Sequence, residues 1–142
     1  MRQPQIVIDT NVLIAALRSR QGASHRLLLL TGTDRFEICV SVSLMLEYED
    51  AAKRLVGETP LTESDIDDIL DYLCAVARRE QVFYLWRPFL KDPGDDMVLE
   101  LAVTAGCDFI VTYNKKDFSG VERFGLGVLT PREFLEQIGE LP

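Results

Sequence analysis

Apolar positions along the chain switch between two spacings, and the alternation predicts strands separated by helices. Residues 6–8 form a short β-branched run that ends at Asp9, and apolar residues with helical spacing follow from Val12. Further strands are predicted over residues 36–40, 81–86, 108–112 and 127–129. Strands joined through helical crossovers pair in parallel. We therefore expect an α/β fold, a three-layer α/β/α sandwich with a central parallel sheet.

Capping residues indicate where several helices begin. Thr62 followed by Asp65 resembles a capping box, and a second box is predicted at 130–133, where proline occupies the first helical position. Ser43 is the predicted N-cap of the helix that starts its apolar stripe at Leu44. Another helix is predicted over residues 95–105, closed by Gly106.

Composition limits the classes of protein to consider. The 142 residues are 47% hydrophobic and 27% charged, which is typical of one soluble domain spanning residues 1–142. The apolar run at 27–30 is too short for a membrane span and no export signal is visible, so we expect a cytosolic protein without membrane contact. Cys39, Cys74 and Cys107 form no paired motif and are expected to be free thiols.

The net charge is unfavourable for a nucleic-acid partner. With 15 basic and 23 acidic side chains the chain carries −8, which repels polyanions unless a metal or a local basic surface reverses the field. A basic edge beside two predicted strand ends could supply part of this, and it consists of Arg18, Arg20, Arg26, Lys115 and Lys116. Tyr113 is a candidate for stacking on the bases of a single-stranded nucleic acid, whereas Phe118 is expected in the core.

Acidic side chains are the main candidate functional residues. Asp9 directly follows the first strand, and ligands of parallel sheets bind beyond this end of the strands. Asp95 lies one turn before apolar residues of its helix and is expected to face a cleft, whereas Asp96 aligns with Glu100 on the polar side. Asp96 and Asp92 remain open as supporting acids or as residues stabilised by the helix dipole.

Glu47 borders the apolar stripe of its helix and could reach the end of the first strand. Its spacing alone does not distinguish it from an exposed residue such as Glu49. Several carboxylates that come together repel one another, and a hard divalent cation with oxygen ligands stabilises such a cluster. We therefore expect Mg²⁺ or Mn²⁺ as the cofactor.

Three motifs carry a resemblance to a known family. They are VIDTNVL at residues 7–13, LEY at 46–48 and DPGDD at 92–96, the last leading through LELA at 99–102 into DFIVT at 108–112. Together they resemble the PIN-domain nucleases, and within that family the VapC-like toxins of toxin–antitoxin pairs. The resemblance extends over residues 5–135.

The resemblance implies a set of metal ligands. Asp9, Glu47 and Asp95 match the three principal metal-binding acids of the family. Asn114 stands where many members have an aspartate, and Asp117 is then the candidate for the fourth acidic position. This departure leaves open whether one metal or two are bound.

The resemblance also implies an activity and partners. It implies a magnesium-dependent ribonuclease that acts as a toxin, with RNA as substrate and a cognate antitoxin protein as partner; DNA as substrate and a homo-oligomer stay open. A bound metal would orient the scissile phosphate and lower the pKa of an attacking water. A mechanism with two histidines is disfavoured because His25 is the one histidine.

Three other functions are to be distinguished from a nuclease by these residues. A haloacid-dehalogenase-like phosphatase would need an acid where Asn11 stands, and a response-regulator receiver would need paired acids at the first strand. Neither pattern is present. A noncatalytic PIN-like module that binds a partner protein stays open as the alternative.

Overall fold

The computed structural model describes residues 3–82 and 89–141. Its strands are β1 (Gln5–Ile8), β2 (Glu37–Val40), β3 (Arg78–Arg79), β4 (Phe109–Val111) and β5 (Gly127–Leu129). They form a five-stranded sheet in the order β3-β2-β1-β4-β5, and all neighbours pair in parallel. The predicted parallel α/β fold is confirmed. The first strand lies at the centre of the sheet, so the residue that follows it emerges between two neighbouring strands.

Helices cover both faces of the sheet. They are α1 (Thr10–Arg18), α2 (Ala23–Leu30), α3 (Val42–Lys53), α4 (Glu63–Val76), α5 (Pro93–Thr104) and α6 (Pro131–Gln137), with short 3-10 helices at Lys115–Phe118 and Val121–Phe124. Helix α5 packs against β1, β2 and β4, whereas α1 contacts α2 and α3. The chain moves outward from β1 to β3 and then returns to β4, so right-handed crossovers place α5 on the opposite face. The three-layer arrangement is confirmed.

The centre of the sheet is apolar on both faces. Ile6 and Val7 point to opposite faces of β1 and both are fully buried, as are Ile110 and Val111 of β4. Strands covered on both faces are apolar at successive positions instead of alternating with polar residues. This burial explains why the first strand is visible in the sequence as an uninterrupted β-branched run.

Two predicted helix starts are wrong by two residues. Helix α3 is capped by Ser41 and not by Ser43, because the Ser41 hydroxyl accepts the amide of Leu44 at 3.2 Å. Helix α5 starts at Pro93, since the Asp92 side chain caps it. Both helices carry candidate acids. The earlier caps extend each helix at its amino end, toward the carboxyl ends of the strands.

The strand predicted at 81–86 is wrong in its described part. Gln81 and Val82 are not in a strand, and residues 83–86 lie outside the described residues. Strand β3 instead occupies Arg78–Arg79 and pairs with Cys39 and Val40 of β2. Both arginines are exposed, so backbone pairing defines this edge strand without an apolar pattern.

Two other expectations can be compared with the fold. The three cysteines are free thiols, with Cys39 and Cys107 buried, as expected. Within residues 3–82 and 89–141, no helix combines the length and apolar character that crossing a bilayer requires.

The predicted capping boxes are both present. The Thr62 hydroxyl accepts the amide of Asp65 at 3.1 Å, and the Asp65 carboxylate accepts the amide of Thr62 at 2.9 Å. Thr130 and Glu133 make the same reciprocal pair. These bonds satisfy amides that have no partner within the helix.

We expect Thr62→Ala to lower the free energy of unfolding by about 1 kcal/mol, because the Asp65 amide loses its cap. Urea unfolding followed by circular dichroism measures the change. The control is Ser64→Ala, an exposed position in the same helical turn whose side chain makes no cap. Equal stability of the two variants would show that the box does not stabilise α4.

Candidate functional site

Asp9 lies at the carboxyl end of the central strand and is the N-cap of α1. Its side chain is 8% exposed, and both carboxylate oxygens are hydrogen bonded. Oδ1 accepts the Thr10 amide at 2.9 Å, and Oδ2 accepts the Thr112 hydroxyl at 2.8 Å and the Asn11 amide group at 3.3 Å. These donors stabilise a buried carboxylate in a fixed orientation.

The Thr112 hydroxyl joins the ends of two strands. Ile8 pairs with Val111, so the residues that follow them lie side by side. Besides donating to Asp9, the fully buried Thr112 hydroxyl accepts the backbone amide of Asn114 at 3.0 Å. The loop after β4 is thereby tied to the start of α1.

Glu47 reaches this site from α3. The Thr10 hydroxyl donates a hydrogen bond to Glu47 Oε2. The next residue, Tyr48, is buried and donates its hydroxyl proton to the carbonyl of Ile8. Burial, together with the negative charges of Asp9 and Glu47, raises the pKa of the Tyr48 phenol well above its usual value, so the phenol stays protonated. Tyr48 therefore holds α3 against the end of β1.

Asp95 approaches from the first turn of α5. The preceding residue, Gly94, lies so close to Glu47 that a Cβ atom on it would be 3.3 Å from Glu47 Oε1. Burial, the largest cause, and the negative charges of Asp9, Asp92, Asp117 and Glu47 together raise the pKa of Asp95 to about 6. The candidate acids on β1, α3, α5 and the loop after β4 thus share one electrostatic environment.

The pKa of Asp9 is also raised. Burial is the main cause, hydrogen bonds from Thr112 and Thr10 oppose it, and the charges of Glu47 and Asp117 add to the rise. Asp117 itself lies on the exposed 3-10 helix after β4. Mutual repulsion of this kind is what a bound cation relieves.

The donor chemistry fits a hard divalent cation, although the side chains are not arranged around one. Within the described parts of the chain, no three acidic, histidine or cysteine side chains lie close enough together to hold one ion. Glu47 is turned toward the Thr10 hydroxyl, and Asp9 is turned toward Thr112 and Asn11. Carboxylate oxygens are the ligands that Mg²⁺ and Mn²⁺ prefer. Binding of one ion by three of these acids would require their side chains to leave the orientations that the structure shows.

The neighbouring acids have structural hydrogen bonds. Asp92 accepts the Gly94 amide at 2.7 Å as the cap of α5. Asp96 accepts the backbone amide of Leu90 at 2.8 Å. Glu100, predicted on the polar side of the helix, is instead 8% exposed. That prediction was wrong because α5 lies against the sheet and is buried over most of its circumference.

Most of the expected basic edge is engaged in ion pairs. Three of its five cations contact carboxylates: Arg18 with Glu58 at 3.3 Å, Arg26 with Glu140 at 3.4 Å and Lys115 with Glu133 at 2.9 Å. Arg20 and Lys116 make no ion pair with an acid of the described residues. The edge is therefore less positive than the sequence suggests.

Two supporting contacts were not predicted from the sequence. Periodicity does not reveal that the Thr10 hydroxyl bonds to Glu47. The role of Tyr48 has a weak signal, because a tyrosine on a buried helical stripe must find a partner for its hydroxyl. The predicted proximity of the candidate acids agrees with their electrostatic coupling, whereas their role as metal ligands remains a prediction.

Comparison with known proteins identifies the family. Residues 5–116 match the model of the PIN domain family, and the chain therefore belongs to that family. The match includes Asp9, Glu47 and Asp95 and ends one residue before Asp117. Comparison of the sequence with curated proteins gave no significant match.

Comparison with solved structures supports the fold. A chain in the crystal structure of VapBC2 from Rickettsia felis bound to a DNA fragment from their promoter superposes with a TM-score of 0.58. The two chains are 14% identical, and the similarity covers 87% of this chain and 98% of the other. At this identity the comparison establishes a shared fold.

The raised pKa of Asp95 predicts a stability change with pH. Folding holds this carboxyl at a pKa of about 6 against 3.8 in the unfolded chain, so its protonated form favours the folded state. Stability is lost as pH rises from about 4 to about 6 and does not return above that. We expect Asp95→Asn to be more stable than the wild type at neutral pH in EDTA.

Urea unfolding at a series of pH values measures this gain, which should disappear below about pH 4. Asp96→Asn is the matched control, because the Asp96 carboxylate accepts backbone amides and its loss should give no gain. If Asp95→Asn is no more stable than the wild type at neutral pH, the Asp95 carboxylate does not destabilise the folded protein and the prediction is wrong.

Proposed function

We propose that the chain is a magnesium-dependent endoribonuclease, with metal ligands Asp9, Glu47, Asp95 and Asp117. One observation carries the proposal: in a PIN-family fold, these acids come from four separate segments and interact electrostatically at the carboxyl ends of β1 and β4. Such an arrangement raises the energy of the protein without a cation. A functional ligand set accounts for it better than helix capping, which needs one acid at each position.

The residues differ in how firmly they are held. Asp9 is fixed by three donors and would serve as the stationary ligand. Glu47 is oriented by the Thr10 hydroxyl, which donates to Oε2. A cation could be bound by the other carboxylate oxygen, or by Oε2 if this hydrogen bond breaks. Asp95, with a pKa of about 6, would lose its remaining proton fraction when a cation binds near neutral pH.

A bound Mg²⁺ or Mn²⁺ would supply charge neutralisation at the scissile phosphate and polarise an attacking water. The chain's own residues provide no histidine pair for acid–base catalysis. His25 bonds through Nδ1 to the carbonyl oxygen of Ala16, at 3.2 Å. Hydrolysis of a phosphodiester with this set of side chains therefore depends on the acids.

The toxin–antitoxin role is the finer part of the proposal. It is supported by the motifs shared with VapC-like proteins and by the fold shared with a chain of the VapBC2 complex. Under this proposal the chain cleaves RNA in the cytoplasm, and a cognate antitoxin protein binds and inhibits it. Co-purification from the native host, with or without a second small protein, tests the partner.

We expect Asp9→Asn and Asp95→Asn each to lower magnesium-dependent RNA cleavage by more than about 100-fold, because a direct ligand contributes more than an outer residue does. Gel assays on unstructured and structured RNA measure the rates. Asp96→Asn is the control, since its carboxylate binds backbone amides. Cleavage that persists in both variants, or that needs no divalent cation, would contradict the mechanism.

A second experiment concerns the number of metals. Asn114 is neutral and coordinates weakly, whereas Asp9, Glu47 and Asp95 would hold one ion together once their side chains reorient around it. We expect calorimetric titration with Mn²⁺ to show one tight site without nucleic acid, and Asn114→Asp to strengthen a second, weaker site. Two tight sites in the wild type, both unchanged by Asp117→Ala, would exclude Asp117 as the fourth ligand. Absence of both metal binding and cleavage would favour the noncatalytic binding module.

A further inference from the structure

Tyr113 is an exposed aromatic residue beside the candidate site. It follows Thr112, whose hydroxyl binds Asp9, and its side chain is 46% exposed. With residues 114–117 it lines an open groove of about 460 Å³. Asp117, whose charge acts on Asp9 and Asp95, lies in the same groove. Tyr113 therefore lines the same groove as Asp117, the candidate acid of this loop.

Hydrogen bonds hold both the backbone and the ring of Tyr113. The Tyr113 amide donates to Asn11 Oδ1 at 3.3 Å, and Asn11 also binds Asp9. The Tyr113 hydroxyl shares a hydrogen bond with the hydroxyl of Ser24, a 2% exposed residue of α2. An exposed tyrosine that is not anchored can rotate freely. This one is oriented before any ligand binds.

An oriented, exposed ring is suited to stacking on a nucleobase. Stacking on an aromatic side chain is sequence-tolerant, because every base presents a π face. A ring that is already held loses little conformational freedom when the base arrives. A base within a duplex is stacked on both sides, so only an unpaired base can use the ring.

The groove also offers a positive charge to the phosphate backbone of a nucleic acid whose base stacks on Tyr113. Lys115 is paired with Glu133, whereas Lys116 makes no ion pair with an acid of the described residues. Lys116 is exposed in the groove that Tyr113 lines. It can contact a phosphate near a base on the ring, which a net charge of −8 would otherwise repel.

We propose that Tyr113 is the stacking platform for one unpaired base of single-stranded RNA, held by Ser24 and placed next to the acids at the end of β1. The choice of RNA rests on the proposed function. The subsite gives the enzyme a preference for unpaired segments, and it binds a base whether or not the strand is cleaved.

The test measures binding without cleavage. Fluorescence anisotropy of labelled single-stranded RNA, single-stranded DNA and duplex RNA is recorded at low ionic strength in EDTA, and again with Ca²⁺, with strand integrity checked on gels. We expect Tyr113→Leu to weaken binding of single-stranded RNA about tenfold or more, and Tyr113→Phe to stay within about threefold of the wild type. Duplex RNA should bind weakly to all three proteins.

The matched control is Tyr72→Leu. Tyr72 is 49% exposed and its hydroxyl is likewise hydrogen bonded, although its acceptor is the main-chain carbonyl of Thr31, 3.0 Å away. Thr31 lies ahead of β2 and lines a pocket with Gln3 and Glu37 at the amino ends of the strands, opposite to the ends that carry the acids. We expect this variant to bind RNA as the wild type does. Ser24→Ala, which frees the ring without removing it, should cause a smaller loss than Tyr113→Leu.

The outcomes separate this subsite from the nuclease proposal. Equal binding by Tyr113→Leu and the wild type, or no binding of single-stranded RNA by the wild type in either buffer, would overturn the platform even if magnesium-dependent cleavage is found. Stronger binding of the duplex would overturn it as well. Binding that depends on Tyr113 in a protein without cleavage activity would keep the platform and reject the nuclease. Single-stranded DNA binding equal to RNA would support base stacking and reject the preference for RNA.

Discussion

The hydrogen bond between the Thr112 hydroxyl and the Asp9 carboxylate is the contact on which the site depends. It joins the ends of the two central strands, and it keeps an ionisable group satisfied where water is largely excluded. The Asn114 amide binds the same hydroxyl, which therefore also connects the loop that carries Tyr113 and Asp117 to the two strand ends. Because the last three residues of β1 and the last two of β4 are buried, the sheet holds this pair in place while the acids on α3 and α5 approach from the two faces.

The architecture brings repelling charges together at a cost to stability. Parallel strands place their carboxyl ends at one edge, and the return of the chain from β3 to β4 brings the first turn of α5 to that same edge. The pKa values of Asp9 and Asp95 are both raised, which means that their ionised forms lower the stability of the folded state. Burial of the apolar core has to offset this loss. Two hydrogen bonds from neutral hydroxyls stabilise the site. Thr10 donates to the Glu47 carboxylate, and Tyr48 donates to the carbonyl of Ile8 and so holds α3.

The sequence predicts those features that depend on local chemistry. The β-branched run of β1 and the capping box at Thr62 follow from burial and from the geometry of a helix start, and both are present in the structure. The predicted start of α3 was wrong because Ser41 and Ser43 are both suitable N-cap residues in the sequence, and the structure shows that the Ser41 hydroxyl accepts the Leu44 amide. Strand β3 has no side-chain signal. The contact between Tyr113 and Ser24 joins residues 89 positions apart, which no local pattern encodes.

The short edge strand has a consequence for the protein in solution. A sheet edge exposes unpaired amides and carbonyls that can recruit a strand from another chain. In β3 this edge is two residues long, and both side chains are exposed arginines. A second copy that paired along this edge would gain few backbone hydrogen bonds and would bring the Arg79 side chains of the two copies together, whereas Arg78 is paired with Glu80. The protein thus resists edge-to-edge aggregation along β3. The exposed arginines that disfavour such pairing are also the reason why no apolar pattern predicts this strand.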